Sequence, residues 1–185
     1  MATPKQLVSK IAEVTGVPEG TVILHDRNLM VAGLRSLGVR GRGTSAVTFE
    51  DAANLLIAVA ASRNVKDSAK VVSSYKDLPA DYPIDFTDEQ RGASFGDAIA
   101  ALMEVLAASP EAWKAGSDED GFVDVFLYGP NPSAKIEIRT KGKNHTYRYA
   151  VGYEQQKRRT GGDLEFISKF SQSSLGHIGT LVAEK

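Results

Sequence analysis

Apolar residues recur at helical spacing from the start of the chain, where Leu7, Val8, Ile11 and Val14 follow Thr3, Pro4 and Gln6. Thr3 can cap a helix, Pro4 suits its first position, and Gln6 completes a capping box. Gly16 then predicts a left-handed stop, a conformation that a side chain resists. Pro18 opens a second helix that runs to about Ala32, with Gly33 ending it. Residues 38–43 read Gly-Val-Arg-Gly-Arg-Gly, too flexible for a helix or a central strand. Thr48 and Asp51 form another cap, followed by the stripe Ala52, Leu55, Leu56, Val59 and Ala60. A short helix is expected from Val65 to Tyr75, and Pro79 and Pro83 mark Asp77–Phe86 as a linker. Thr87 and Gln90 cap a further helix that ends near Ser109 and carries the stripe Phe95, Ile99, Leu102, Met103 and Leu106. Gly92 and Gly96 each weaken it by roughly 1 kcal/mol relative to alanine. Close packing against a neighbour explains them, and so does a later helix start.

Beyond the acidic turn Ser117–Asp120 the period changes. Phe122, Val123, Val125, Phe126 and Leu127 predict a largely buried strand. Ala134, Ile136 and Ile138 alternate with Lys135, Glu137 and Arg139, which predicts a half-exposed one. Turns at Gly129–Pro132 and Lys141–Asn144 bound it. Tyr147, Tyr149 and Val151 share one face of a third strand. A basic loop, Lys157–Gly162, leads to a fourth around Asp163–Phe170, and Ser171 or Ser173 caps a closing helix. The fold class is α+β, with an antiparallel meander packed on helices.

With 185 residues there is room for one ordinary domain or two small ones, and 42% hydrophobic residues suffice for a core. No apolar run approaches the ~18–20 residues that span a bilayer. The amino terminus lacks the basic-then-apolar layout of a signal peptide. A cytoplasmic protein without a membrane partner is therefore expected. The absence of cysteine excludes disulfides, thiol catalysis and thiolate metal sites. The net charge of −1 hides an asymmetry: residues 1–63 carry +2, residues 64–120 carry −7 and residues 121–185 carry +4. The middle segment repels phosphate, whereas both flanks can be drawn to it.

The segment Thr21–Leu34 carries the most specific pattern. Thr21, Val22, His25, Leu29 and Ala32-Gly33-Leu34 match a Thr-Val-x-x-His, Leu, Ala-Gly-Leu series. In this it resembles the recognition helix of bacterial winged-helix regulators, including the arsenic-repressor type. Ile11-Ala12 and Gly16-Val17 match the first helix and the turn, and Val39–Ser45 falls where that family places its wing. Prophage-encoded regulators with Arg-Gly-rich wings are similar. The resemblance covers residues 4–63 only. It implies a winged helix-turn-helix DNA-binding domain at 1–63, then a helix and linker at 64–86. An α+β domain for dimerisation or partner binding would occupy 87–185.

On a helical wheel Leu24, Asn28, Val31 and Arg35 fall opposite the Val22–Leu29 stripe, flanked by Thr21 and Arg27. Arginine can pair with guanine and asparagine with adenine in the major groove. Arg40 and Arg42, set between glycines, suit a narrow minor groove. The expected DNA contacts are thus Thr21, Leu24, Arg27, Asn28, Arg35, Arg40 and Arg42. Asp26 departs from the family, which usually has Leu there, and Glu19 places an anion at the helix start.

Other chemistry is sparse. His25, His145 and His177 are too far apart for a metal motif, and His25 is expected to be a structural part of its helix. Asp118, Glu119 and Asp120 lack the spacing of a calcium loop. No phosphate loop or nucleophile elbow is present. Neither a catalytic residue nor a metal or cofactor is expected. Arg139, Lys141, Lys143 and Arg148 surround Tyr147 and Tyr149, a mixture that can stack single-stranded bases. Period-two alternation instead favours core-facing tyrosines, with a sheet edge serving self-association.

The resulting expectation is a DNA-binding transcriptional regulator of phage or mobile-element type. It would act as a homodimer on double-stranded DNA, by operator occupancy or recruitment. The alternative is a non-enzymatic protein-interaction or phage packaging adaptor that uses the winged helix as a scaffold.

Overall fold

The computed structural model describes residues 2–36, 46–80, 94–114, 121–140, 143–151 and 164–184. Helix α1 (Pro4–Thr15) begins in the expected capping box, with Gln6 N–H donating to Thr3 Oγ1 and Thr3 N–H to Gln6 Oε1. Gly16 closes it at φ +71°. Three residues on, α2 (Glu19–Val31) starts, and it ends with Gly33 at φ +72°. There Leu34 N–H donates to Leu29 O at 2.9 Å and Gly33 N–H to Met30 O at 3.2 Å, satisfying two carbonyls that have no partner within the helix. Helix α3 (Phe49–Ala61) opens with the Thr48/Asp51 box. A single 3-10 turn, Val65–Asp67, precedes α4 (Ser68–Lys76).

Helix α5 (Phe95–Ala108) begins at the cap Ser94, so the helix is shorter than the pattern from Thr87 suggested; Thr87, Gln90 and Gly92 lie outside the described residues. Gly96 stands in its first turn, where an added Cβ would come within 3.0 Å of Lys76 Cβ and 3.1 Å of the Lys76 carbonyl oxygen. The glycine lets α5 meet the last turn of α4. Among the described residues, two further helices, α6 (Pro110–Lys114) and α7 (Gln172–Ala183), join the helical layer.

Strands β1 (Phe122–Gly129), β2 (Ser133–Thr140), β3 (Lys143–Ala150) and β4 (Phe166–Ser171) form an antiparallel sheet in the order β3-β2-β1-β4. The meander holds for three strands. β4 then pairs with β1, matching Asp124 to Ser171 and Tyr128 to Ile167. The far edge of β3 is met by residues 79–80, with Ala150 N–H donating to Pro79 O at 3.1 Å. Pairing with β1 also returns the chain to α7, which lies against α1 and α5.

The core is continuous from Leu7 to Ile178. Helix α3 runs through its middle, with every residue from Asp51 to Ala58 buried, and packs on α4, α5, α7 and the sheet. A Cβ on Gly179 would collide with the Met103 carbonyl, and one on Gly176 with the Trp113 ring, so α7 approaches α5 and α6 along its glycine face. The described residues of 1–63, 64–86 and 87–185 contribute to this one core. Among the described residues no helix is long and apolar enough to cross a membrane.

Candidate nucleic-acid interface

The short connection between α1 and α2 is held from both sides. Thr15 Oγ1 donates to Ile11 O and accepts from Val17 N–H, while Ser9 Oγ donates to Glu19 Oε1 at 3.0 Å. Glu19 thus begins α2 already engaged by α1, at the end where an anion favours the helix dipole. Val22, His25 and Leu29 turn inward. The outward ridge is Gly20, Ile23, Leu24, Arg27 and Val31, with Val31 79% exposed.

The predicted readers divide. Leu24 and Arg27 are exposed and Thr21 is half-buried. Asn28 donates from Nδ2 to Val65 O at 2.7 Å, which docks α2 on the 3-10 turn. Arg35 Nε stands 2.9 Å from Asp26 Oδ1, with side-chain exposures of only 10% and 15%. This pair accounts for the carboxylate in place of leucine. It is an ion pair without hydrogen-bond alignment. Burial pushes the Asp26 carboxyl above its ordinary value, with Arg35 opposing and Asp51 adding to the rise. Arg40 and Arg42, and the wing expected at 39–45, lie outside the described residues.

Both described ends of that segment are held by α3. Asp51 Oδ1 accepts from Ser36 N–H at 2.6 Å and its Oδ2 from Thr48 N–H at 2.9 Å. Asn54 Nδ2 donates to Leu34 O at 2.9 Å. One buried carboxylate therefore joins the residue after Arg35 to the cap of α3.

His25 is structural, as its place in the pattern suggested. Its Nδ1 lies 2.7 Å from Ser68 Oγ, which itself donates to Val65 O, the carbonyl that Asn28 also meets. Burial holds the imidazole below its ordinary pKa of 6.5.

The sheet has two unlike faces. Ile136, Ile138, Tyr147 and Tyr149 point to the helices, so the tyrosine row is core, and Tyr149 packs against Phe95 at 5.5 Å between ring centres. On the opposite face, register brings Phe122, Asp124, Phe126 and Tyr128 of β1 beside Arg139, Glu137, Lys135 and Ser133 of β2. Lys169 and Ile167 of β4 and Arg148 of β3 extend the same face. Asp124 is only 1% exposed and lies 3.0 Å from both Arg139 Nη2 and Lys169 Nζ. Lys135 Nζ stands 4.3 Å above the Phe126 ring and Arg139 Cζ 5.2 Å from that of Phe122. Lys135 also pairs with Glu137 at 2.9 Å, which raises the lysine pKa and lowers that of the carboxylate.

Sequence reasoning placed Phe122 and Phe126 inside a buried strand. Their alternation with Val123, Val125 and Leu127, and the charged Asp124 between them, was the available signal that they face the other way. Lys141 and Lys157–Arg159 lie outside the described residues. Compared with family models, curated proteins and solved structures, the chain matches none.

Proposed function

We propose that the chain is a non-enzymatic DNA-binding protein that uses α1, the Gly16 turn, α2 and the Arg40/Arg42 segment as a winged helix-turn-helix. It acts by occupying an operator or recruiting a partner there, in the manner of the prophage-type regulators it resembles. The observation that carries this reading is the Asp51 clasp. It ties Ser36, on one side of the arginine-glycine segment, and Thr48, on the other, to one buried carboxylate of α3, while Leu24 and Arg27 of α2 are exposed. Leu24, Arg27 and Thr21 then supply the groove contacts, and Arg40 and Arg42 the neighbouring ones. Asn28 and Arg35 position α2 from within. A homodimer would present two such helices to a two-fold-symmetric site.

Fluorescence anisotropy with mixed duplex DNA tests this. Binding should weaken with salt, and the Arg40→Ala/Arg42→Ala protein should lose roughly two units of the log–log salt slope. Unchanged affinity and slope in that variant would remove the segment from the interface.

A second reading rests on the apolar ridge of α2, where Ile23 and Leu24 are 49% exposed beside Val31. Such a ridge also suits protein docking, as in an assembly adaptor. No duplex binding at low salt, with a ring-sized mass by light scattering, would establish that reading instead.

A further inference from the structure

We propose that the outward face of the sheet binds single-stranded nucleic acid, independently of the helix-turn-helix. The helices cover the other face, where Val125, Leu127, Ile136 and Tyr149 are buried, and at one end of this face Phe122, Asp124 and Lys169 share a recess with Thr15 of α1 and Val59 of α3. Its chemistry is interleaved. Phe122, Phe126 and Tyr128 lie in one row along β1, flanked by Lys135, Arg139 and Lys169. Phe126 and Tyr128 stand about 7 Å apart along the strand and Phe122 about 14 Å beyond Phe126, so bases can stack on the Phe126–Tyr128 pair with Phe122 as a separate platform. Cations in the flanking rows then meet the backbone phosphates.

Asp124 organises the cations. Buried near the start of β1, it holds Arg139 and Lys169 with more than half of each side chain still exposed (54% and 51%). Their charge is anchored on one side and presented to solvent on the other. Lys135 covers the Phe126 ring from 4.3 Å while its ammonium pairs with Glu137 at 2.9 Å. A base that takes its place on the ring must draw the ammonium from Glu137 toward a phosphate. A recess of about 370 Å³ opens beside Tyr128, lined also by Lys135, Arg148 and Glu165, and offers both charge and hydrogen-bonding groups next to the ring. The outward residues of the four described strands comprise four cations and two carboxylates, a balance that favours a polyanion over an acidic-patch-free protein surface.

The experiment uses the full chain with fluorescein-labelled oligodeoxythymidine and oligouridine, which also separates DNA from RNA as the natural strand. Anisotropy should report binding at low salt to at least one of them. Phe126→Leu keeps an apolar side chain and should weaken binding by about tenfold, the loss of one stacked base. If that variant melts early, the exposed Phe122→Ser serves in its place. Lys135→Ala/Arg148→Ala, which leaves the Asp124 pairs intact, should lower the log–log salt slope by about 1.4. Arg40→Ala/Arg42→Ala should leave this binding unchanged, so failure of the duplex interface and failure of this face are separable. The proposal is overturned by no binding of either homopolymer at low salt. It is equally overturned by loss of single-strand binding only in the Arg40/Arg42 variant, or by a dimer mass that Phe126→Leu abolishes without oligonucleotide.

Discussion

Two exposed regions of the molecule carry carboxylate–cation contacts, and they use them in opposite ways. Beside α2, Asp26 and Arg35 form a one-to-one pair turned inward, each side chain at most 15% exposed. On the sheet, one almost fully buried carboxylate, Asp124, is shared by two cations that remain half in water. The first arrangement removes an arginine from the surface and fixes the end of α2. The second keeps its cations available while fixing where they stand. A count of positive residues therefore overstates what α2 presents to a ligand and understates what the sheet does.

The comparison can be broken most directly on the sheet. Arg139→Ala/Lys169→Ala orphans a buried carboxylate and should cost about 3–5 kcal/mol in denaturant unfolding, far beyond the sum of the single variants. Each single variant leaves the other cation in place and should cost under about 1 kcal/mol. Additive effects would show that Asp124 does not depend on its partners. Next in size, Arg35→Ala should cost about 2–3 kcal/mol in one step, because Asp26 has no second cation. A loss there as small as for Arg139→Ala would erase the distinction between the two regions.

The smallest expected effect sharpens the α2 side through pH. Burial depresses the folded pKa of His25, so the unfolded chain takes up that proton first as pH falls. The contribution of neutral His25 is fully present above the ordinary value of 6.5 and is lost as pH drops below it toward the folded value. Melting temperatures of the wild type should fall in that window more steeply than those of His25→Asn. Parallel profiles would show that His25 does not resist protonation.

Much of the helical layer was legible because its signals are local. Thr3 with Gln6, Thr48 with Asp51, and Gly16 and Gly33 each act within one turn of backbone, and each acts as its spacing indicates. Gly96 was legible as a question, whose answer required Lys76 from another helix. The pairing of β4 with β1 was not legible, since strand order is set between segments far apart along the chain, as is the meeting of residues 79–80 with the edge of β3. The candidate α2 surface was readable as a wheel. Which of its polar groups turn inward was not, because the acceptor of Asn28 and the carboxylate of Arg35 are set by tertiary packing. The outward phenylalanines were hidden by composition: aromatic residues in a strand of valines read as core until the register is known.

The Asp51 clasp has a consequence for how the molecule can change over evolutionary time. Ser36 and Thr48 are tied to the same carboxylate, so the chain between them leaves and rejoins the core at fixed neighbouring points. Closing a loop between fixed points costs only about 0.6 kcal/mol more for each doubling of its length. Insertions and deletions there can remodel whatever that segment contacts while the packing of α3 is left untouched. The clasp thus separates the evolvable part of this end of the protein from the part that must be conserved in shape.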